Sequence, residues 1–273
     1  MKKQHSITRT LLLSGVAAIM FSSCIFMPPK EVKETIKKDG LSLVWQDEFE
    51  YTGVPDVSKW KYQTGKSGWG NNELQNYVDN TTTAETAIVE DGHLKIKAYK
   101  NGNEWRSARL NSKQTWKYGY IEARLKVTDR LGAWPAFWMM PEGRADWPKC
   151  GEIDIMENAP ATARRHRVFS TLHAEGHSGG SGIGIGEKTF GDDFASEWHT
   201  FGIKWTEEKI TAYYDDVAVG SYNSDGTELN WPYNQKFYII LNLAIGGNLG
   251  GTDYANSLGG EAEFLVDYVR VYQ

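Results

Sequence analysis

From residue 41 onward, apolar and polar residues alternate with a period of two. LSLVWQDEF (41–49), HLKIKAYK (93–100) and YGYIEARLKV (118–127) show it, as do FGIKWT (201–206), KITAYYDDVAVGSY (209–222) and FLVDYVRVYQ (264–273). Successive side chains of a strand point to opposite faces, so each segment predicts a strand with one buried and one wet face. The unbroken apolar run FYIILNLAIGG (237–247) predicts a strand covered on both sides. Turn signals lie between these runs: EDG (90–92), KNGN (100–103) and SDG (224–226). Beyond residue 40 no segment keeps a helical period for three turns, and no linker, composition break or repeat divides the chain. The pattern predicts one all-β domain over residues 41–273, a sandwich or a barrel.

One glycine-rich stretch, GHSGGSGIGIG (176–186), reads as a flexible loop. It is not a phosphate loop, because Lys188 does not follow a glycine and no helix pattern comes after it.

The first 24 residues fall outside this pattern. Lys2, Lys3 and Arg9 precede the apolar run LLLSGVAAIMF (11–21), which is short for a membrane span, and SSC follows at 22–24. The arrangement resembles a bacterial lipoprotein signal. It implies a signal peptide over 1–23, lipidation of Cys24 as the new N-terminus, and a charged tether over 24–40. The implied location is the bacterial cell envelope, on the outer membrane facing outward, with plain secretion as the alternative. Cys150 is then the one thiol left, unable to form an intrachain disulfide. It reads as a small buried apolar side chain rather than a nucleophile.

Composition narrows the function. Hydrophobic residues make up 40% and charged residues 24%, as in a soluble globule. The net charge of −5, without a basic block, argues against nucleic acid as a partner. Eleven Trp and fourteen Tyr supply flat rings of the kind that stack on sugars.

The chemistry concentrates in GEIDIMEN (151–158). On a regular strand Glu152 and Asp154 share a face, with Ile153 and Ile155 on the other, while Glu157 has the wrong parity to join them. An inserted residue, a β-bulge near Met156, brings Glu157 round to the same surface. Retaining glycoside hydrolysis needs two carboxyls about 5–5.5 Å apart, and inversion about 6.5–9.5 Å. Spacing alone leaves the working pair among the three acids open.

GEIDIMEN, preceded by GAWPAFWMMP, resembles the signature of glycoside hydrolase family 16 in its laminarinase-like, endo-β-1,3(4)-glucanase branch. Ordered matches run through LVWQDEF, NNELQNY, SARL, YGYIEARLK, STLH, FGIKW, FYIILNLAIGGN and VDYVRVYQ. The resemblance implies a concanavalin A-like β-jelly-roll sandwich with an open cleft on its concave sheet. It implies Glu152 as nucleophile, Glu157 as general acid/base and Asp154 as electrostatic helper. Trp134 and Trp147 would stack on glucose rings, with Trp138 shared between cleft and core. Asn72 and Arg109 would bind sugar hydroxyls, Glu73 would anchor a loop, His173 would lie close to the acid/base, and Asn242 is a weaker cleft candidate. Catalysis would need no cofactor, but a structural Ca²⁺ would join Glu48, the Gly92 carbonyl and Asp267. The implied activity of this expected monomer is retaining endo-hydrolysis of β-1,3 or mixed β-1,3/1,4-glucan. The rival readings are an agarase-, carrageenase- or porphyranase-like galactan hydrolase, a transglycosylase, and a non-catalytic glycan-binding lipoprotein.

Overall fold

The structure, a computed structural model, describes residues 40–161, 165–257 and 259–273. The signal segment, Cys24 and nearly all of the tether lie outside the described residues. Two sheets account for most of the rest. One has seven strands, in the order Ile183–Thr189, Arg167–His173, Glu152–Asn158, Ala133–Pro141, Phe237–Ile245, Arg109–Ser112 and Trp60–Tyr62. The other has ten, its main path running Val217–Asn223, Lys209–Tyr214, His199–Trp205, Gly119–Lys126, Ala262–Tyr272, His93–Asn101, Glu104–Ser107 and Gln75–Tyr77. Leu43–Asp47 joins this sheet alongside Ala262–Tyr272, and Ala87–Glu90 joins it alongside His93–Asn101.

Period-two alternation is what lets the sheets stack. Phe137, Met139, Ile153, Leu172, Leu241 and Leu243 of the seven-stranded sheet belong to the same fully buried core as Ile121, Ile203, Phe264 and Val269 of the other. Their removal from water is the main source of stability, and no disulfide is needed. Cys150 is a buried free thiol, as expected. The architecture is the jelly-roll sandwich expected of the sequence.

Two local readings needed correction. KITAYYDDVAVGSY is a hairpin rather than one alternating segment: Asp215 and Asp216 take φ of 50° and 64°, turning Lys209–Tyr214 into Val217–Asn223. Paired positive φ is the mark of a tight hairpin turn, which aspartate tolerates better than most residues. The glycine-rich stretch is likewise not all loop, since Ile183–Thr189 is an edge strand paired with Arg167–His173. Here Gly182 and Gly186 serve close approach: a Cβ would lie 2.6 Å from His173 Cε1 at the first and 2.7 Å from Val219 Cγ2 at the second.

Candidate active site

The acidic strand opens at Gly151, whose φ is 85° and whose missing Cβ leaves room for Pro232, 2.8 Å from where that atom would sit. It then runs Glu152–Asn158 between Ala133–Pro141 and Arg167–His173. Asp154 pairs with Trp138, but Met156 pairs with the next residue, Phe137, so Ile155 is extra. The other neighbour shows the same slip, with Asp154 opposite Thr171 and Glu157 opposite Phe169. Consecutive Ile155 and Met156 are both fully buried in the core. The expected bulge is therefore present, and Glu157 returns to the cleft, where Trp134 Nε1–H donates to its Oε1 at 2.9 Å.

All three carboxyls are pushed well above the ordinary carboxylate range. Burial pushes the Glu152 carboxyl up to about 8, the Asp154 and Glu157 charges add to the rise, and the His173 ring and Arg109 guanidinium oppose it. Burial pushes Asp154 to about 8. Burial and then the charge of Asp154 raise Glu157 to about 8, against the Trp134 hydrogen bond. Groups this close titrate as one set. Burial is what raises Asp154, and His173 touches it as well as Glu152, whereas Glu152 alone also has the Arg109 guanidinium to favour its anion. A proton on Asp154 beside an ionised Glu152 is the arrangement these causes favour.

His173 lies among the acids. Its Nε2 is 3.0 Å from Asp154 Oδ2 and 3.8 Å from Glu152 Oε1, and its ring also acts electrostatically on Glu157. Its ring also faces the half-exposed Trp147, with centroids 6.2 Å apart.

Beside the acids, a hydrogen-bonded network fixes the floor. Trp138 Nε1–H donates to Asn242 Oδ1 at 2.6 Å, and Asn242 Nδ2 donates to Tyr77 Oη at 2.9 Å. Glu73 anchors this corner as expected, accepting from Asn71, Gln75 and Tyr77. Asn242 thus serves Trp138 from the cleft face. Arg109 lies between two indoles, its guanidinium carbon 4.6 Å from the Trp138 ring centroid and 4.8 Å from that of Trp69. Sequence reasoning missed Trp69, which stands on the loop before NNELQNY with φ of 52°. Asn72 is exposed and donates its amide N–H to Asn248 Oδ1 at 2.8 Å, so it links two cleft-side loops.

Register sets Glu48 and Gly92 alongside the Asp267 stretch of the ten-stranded sheet, since Asp47 pairs with Val269 and Leu94 with Val266 of Ala262–Tyr272. Their carboxylates are engaged, however. Arg270 grips Glu48 through two hydrogen bonds of 2.8 Å, and Arg124 Nη1 lies 2.9 Å from Asp267 Oδ2. A calcium cage of side-chain oxygens does not fit this arrangement, because guanidinium groups already neutralise its charge.

Several carboxyls beside indoles on the open face of a two-sheet sandwich define a glycoside hydrolase of jelly-roll type. Residues 73–270 match the model of glycosyl hydrolases family 16, and the chain belongs to that family. A beta-glucanase of Rhodothermus marinus is 37% identical over 246 residues, covering 85% of each chain. A glucan endo-1,3-beta-glucosidase of Cryptopygus antarcticus is 36% identical over 254 residues, 84% of this chain and 90% of its own. The crystal structure of a laminarinase from Flavobacterium sp. UMI-01 superimposes with a TM-score of 0.76 at 37% identity, covering 85% of this chain and 100% of that one.

Proposed function

We propose that the protein is a retaining endo-β-glucanase that cleaves β-1,3 or mixed β-1,3/1,4-glucans through a covalent glycosyl-enzyme. Glu152 attacks the anomeric carbon as its bond to the leaving oxygen breaks, and Glu157 gives that oxygen its proton. Water then attacks the same carbon, Glu157 takes its proton, and Glu152 is released as carboxylate. Asp154, protonated between them, steadies the charge on Glu152. The observation that carries this reading is the bulge at Ile155, which sets Glu157 on the same surface as Glu152 and Asp154. The glucanase names of the relatives support the substrate class.

A purely glycan-binding protein has no use for a raised acid beside an ionised carboxylate. A sulfated galactan would call for open cationic groups, yet Arg109 of the cleft is enclosed between indoles. Incubating the purified domain with laminarin, lichenan, agarose and xyloglucan, and reading linkage and first-formed anomer by NMR, tests the proposal. Reducing ends released from laminarin or lichenan as the β-anomer support it, α-anomer or cleavage of agarose alone overturns it, and longer products reveal transfer to sugar.

For the strand-edge cluster at Glu48, Gly92 and Asp267, we favour ion pairing over calcium as the stabilising device. For residues 1–40 we propose lipid attachment at Cys24 and an outward-facing place on the envelope for a monomeric enzyme. The signal pattern supports this, and labelling with a fatty-acid analogue that Cys24→Ser abolishes is its test.

A further inference from the structure

A bulge leaves backbone groups without ladder partners, and a buried carbonyl without a donor is costly. Ile155 is the extra residue of this bulge, and its carbonyl is the one at issue. A side chain serves it: Ser170 Oγ–H donates to Ile155 O at 2.6 Å. Ser170 belongs to the adjacent strand Arg167–His173, on the core-facing parity with Val168 and Leu172, and is fully buried. Its single hydroxyl hydrogen is used on Ile155. The 2.8 Å contact with the Tyr214 hydroxyl is therefore one in which Tyr214 donates to Ser170 Oγ.

Tyr214 ends the strand Lys209–Tyr214 of the opposite sheet and is also fully buried. Tyr214 thus reaches across the apolar core to support Ser170, and Ser170 in turn holds the Ile155 carbonyl. The surroundings are shaped for them. Opposite Ser170 stands Gly186, where a Cβ would sit 3.1 Å from the Tyr214 hydroxyl and 2.7 Å from Val219 Cγ2. The Arg167–His173 strand also changes register against Ile183–Thr189 between Ser170 and Thr171, so both of its neighbours slip beside this serine.

We infer that Ser170, supported by Tyr214, is a positioning residue for the acid/base: it holds the Ile155 bulge in the shape that aims Glu157 into the cleft. Ser170 faces the core, away from bound sugar, and acts through the backbone two residues before Glu157. The inference rests on the reading of Glu157 as proton donor. Its expected signature is the same as that of a weakened proton donor, since a carboxyl displaced by about 1 Å can lose 10²-fold in rate. Hydrolysis of a natural glucan needs a proton on the leaving oxygen, whereas a 2,4-dinitrophenolate leaves without one.

The test compares kcat/KM on laminarin and on 2,4-dinitrophenyl β-laminaribioside for wild type, Ser170→Ala, Ser170→Thr, Tyr214→Phe and Glu157→Ala. With melting used to confirm folding, Ser170→Ala is expected to lose about 10- to 100-fold on laminarin and less than about threefold on the activated substrate. Ser170→Thr, which keeps the hydroxyl, restores laminarin activity to within about threefold, and Tyr214→Phe shows a smaller selective loss. If Ser170→Ala does not fold, Tyr214→Phe carries the same comparison. Equal losses on both substrates, or none, overturn the inference while Glu157→Ala remains selective. A Glu157→Ala variant without selectivity overturns the acid/base reading, and the inference with it.

Discussion

The molecule keeps carboxylates in two opposite conditions. On the ten-stranded sheet, Glu48 and Asp267 meet guanidinium groups at 2.8 and 2.9 Å and serve as ties between strands. On the seven-stranded sheet, no guanidinium lies in contact with Glu152, Asp154 or Glu157 among the described residues, and burial pushes all three up to about 8. The same residue types are thus stabilising where their charge is neutralised and strained where it is not. Strain of this kind keeps a proton available at neutral pH, and it collects where chemistry is done.

The sharpest way to break the comparison is to remove acids from each region. Glu152→Gln and Glu157→Gln are expected to lower kcat on laminarin by about 10³-fold or more, with melting temperature unchanged or raised. A variant that melts normally and retains a tenth of the activity would contradict the assignment. Asp154→Asn comes next, with a loss of about 10- to 100-fold and a clear stability signature.

The sign of that signature follows from the raised carboxyl. Asp154 titrates near 8 when folded and near 3.8 as the free residue, so the native state binds the extra proton in between. The stability this contributes is complete below about pH 4 and is lost as pH rises through about 8. Asp154→Asn has no such loss, so its melting temperature should rise relative to wild type from pH 5 to pH 9. A constant difference across that range would show that the carboxyl is not raised.

In the other region the effect falls on stability alone. Arg270→Gln leaves Glu48 without its two charged hydrogen bonds, and unfolding measured in urea should show a loss of about 1–2 kcal/mol, the value for a pair still touched by water. Its activity at 25 °C should match wild type. The smallest effect expected is none: EDTA should leave the melting temperature unchanged, because arginines occupy the carboxylates. A drop on chelation would assign an ion to that edge after all.

Much of this was legible in the sequence, and the exceptions share a cause. Strand periodicity in YGYIEARLKV and FYIILNLAIGG reflects burial, which acts residue by residue and leaves its trace in the chain. The odd parity of Glu157 likewise pointed to a bulge before any geometry was known. What holds the bulge was not legible, since Ser170 and Tyr214 lie 44 positions apart and come from different sheets. The glycines of 182–186 looked like loop chemistry because sequence shows permissive residues without showing what approaches them. The contacts of His173 were not legible for a similar reason: register across two strands, Glu152 opposite His173, sets the ring beside Asp154 and Glu152. Trp69 carried no signal beyond being one of many indoles.

The central claim is that Glu152 attacks and Glu157 carries the proton from the same face of one kinked strand. Azide rescue of Glu152→Ala and Glu157→Ala on 2,4-dinitrophenyl β-laminaribioside tests it most directly, since azide replaces whichever group is missing. The account predicts an α-glycosyl azide from Glu152→Ala, by a single displacement, and a β-glycosyl azide from Glu157→Ala, by attack on the glycosyl-enzyme. The reverse pairing of anomers, or the same anomer from both variants, would contradict it.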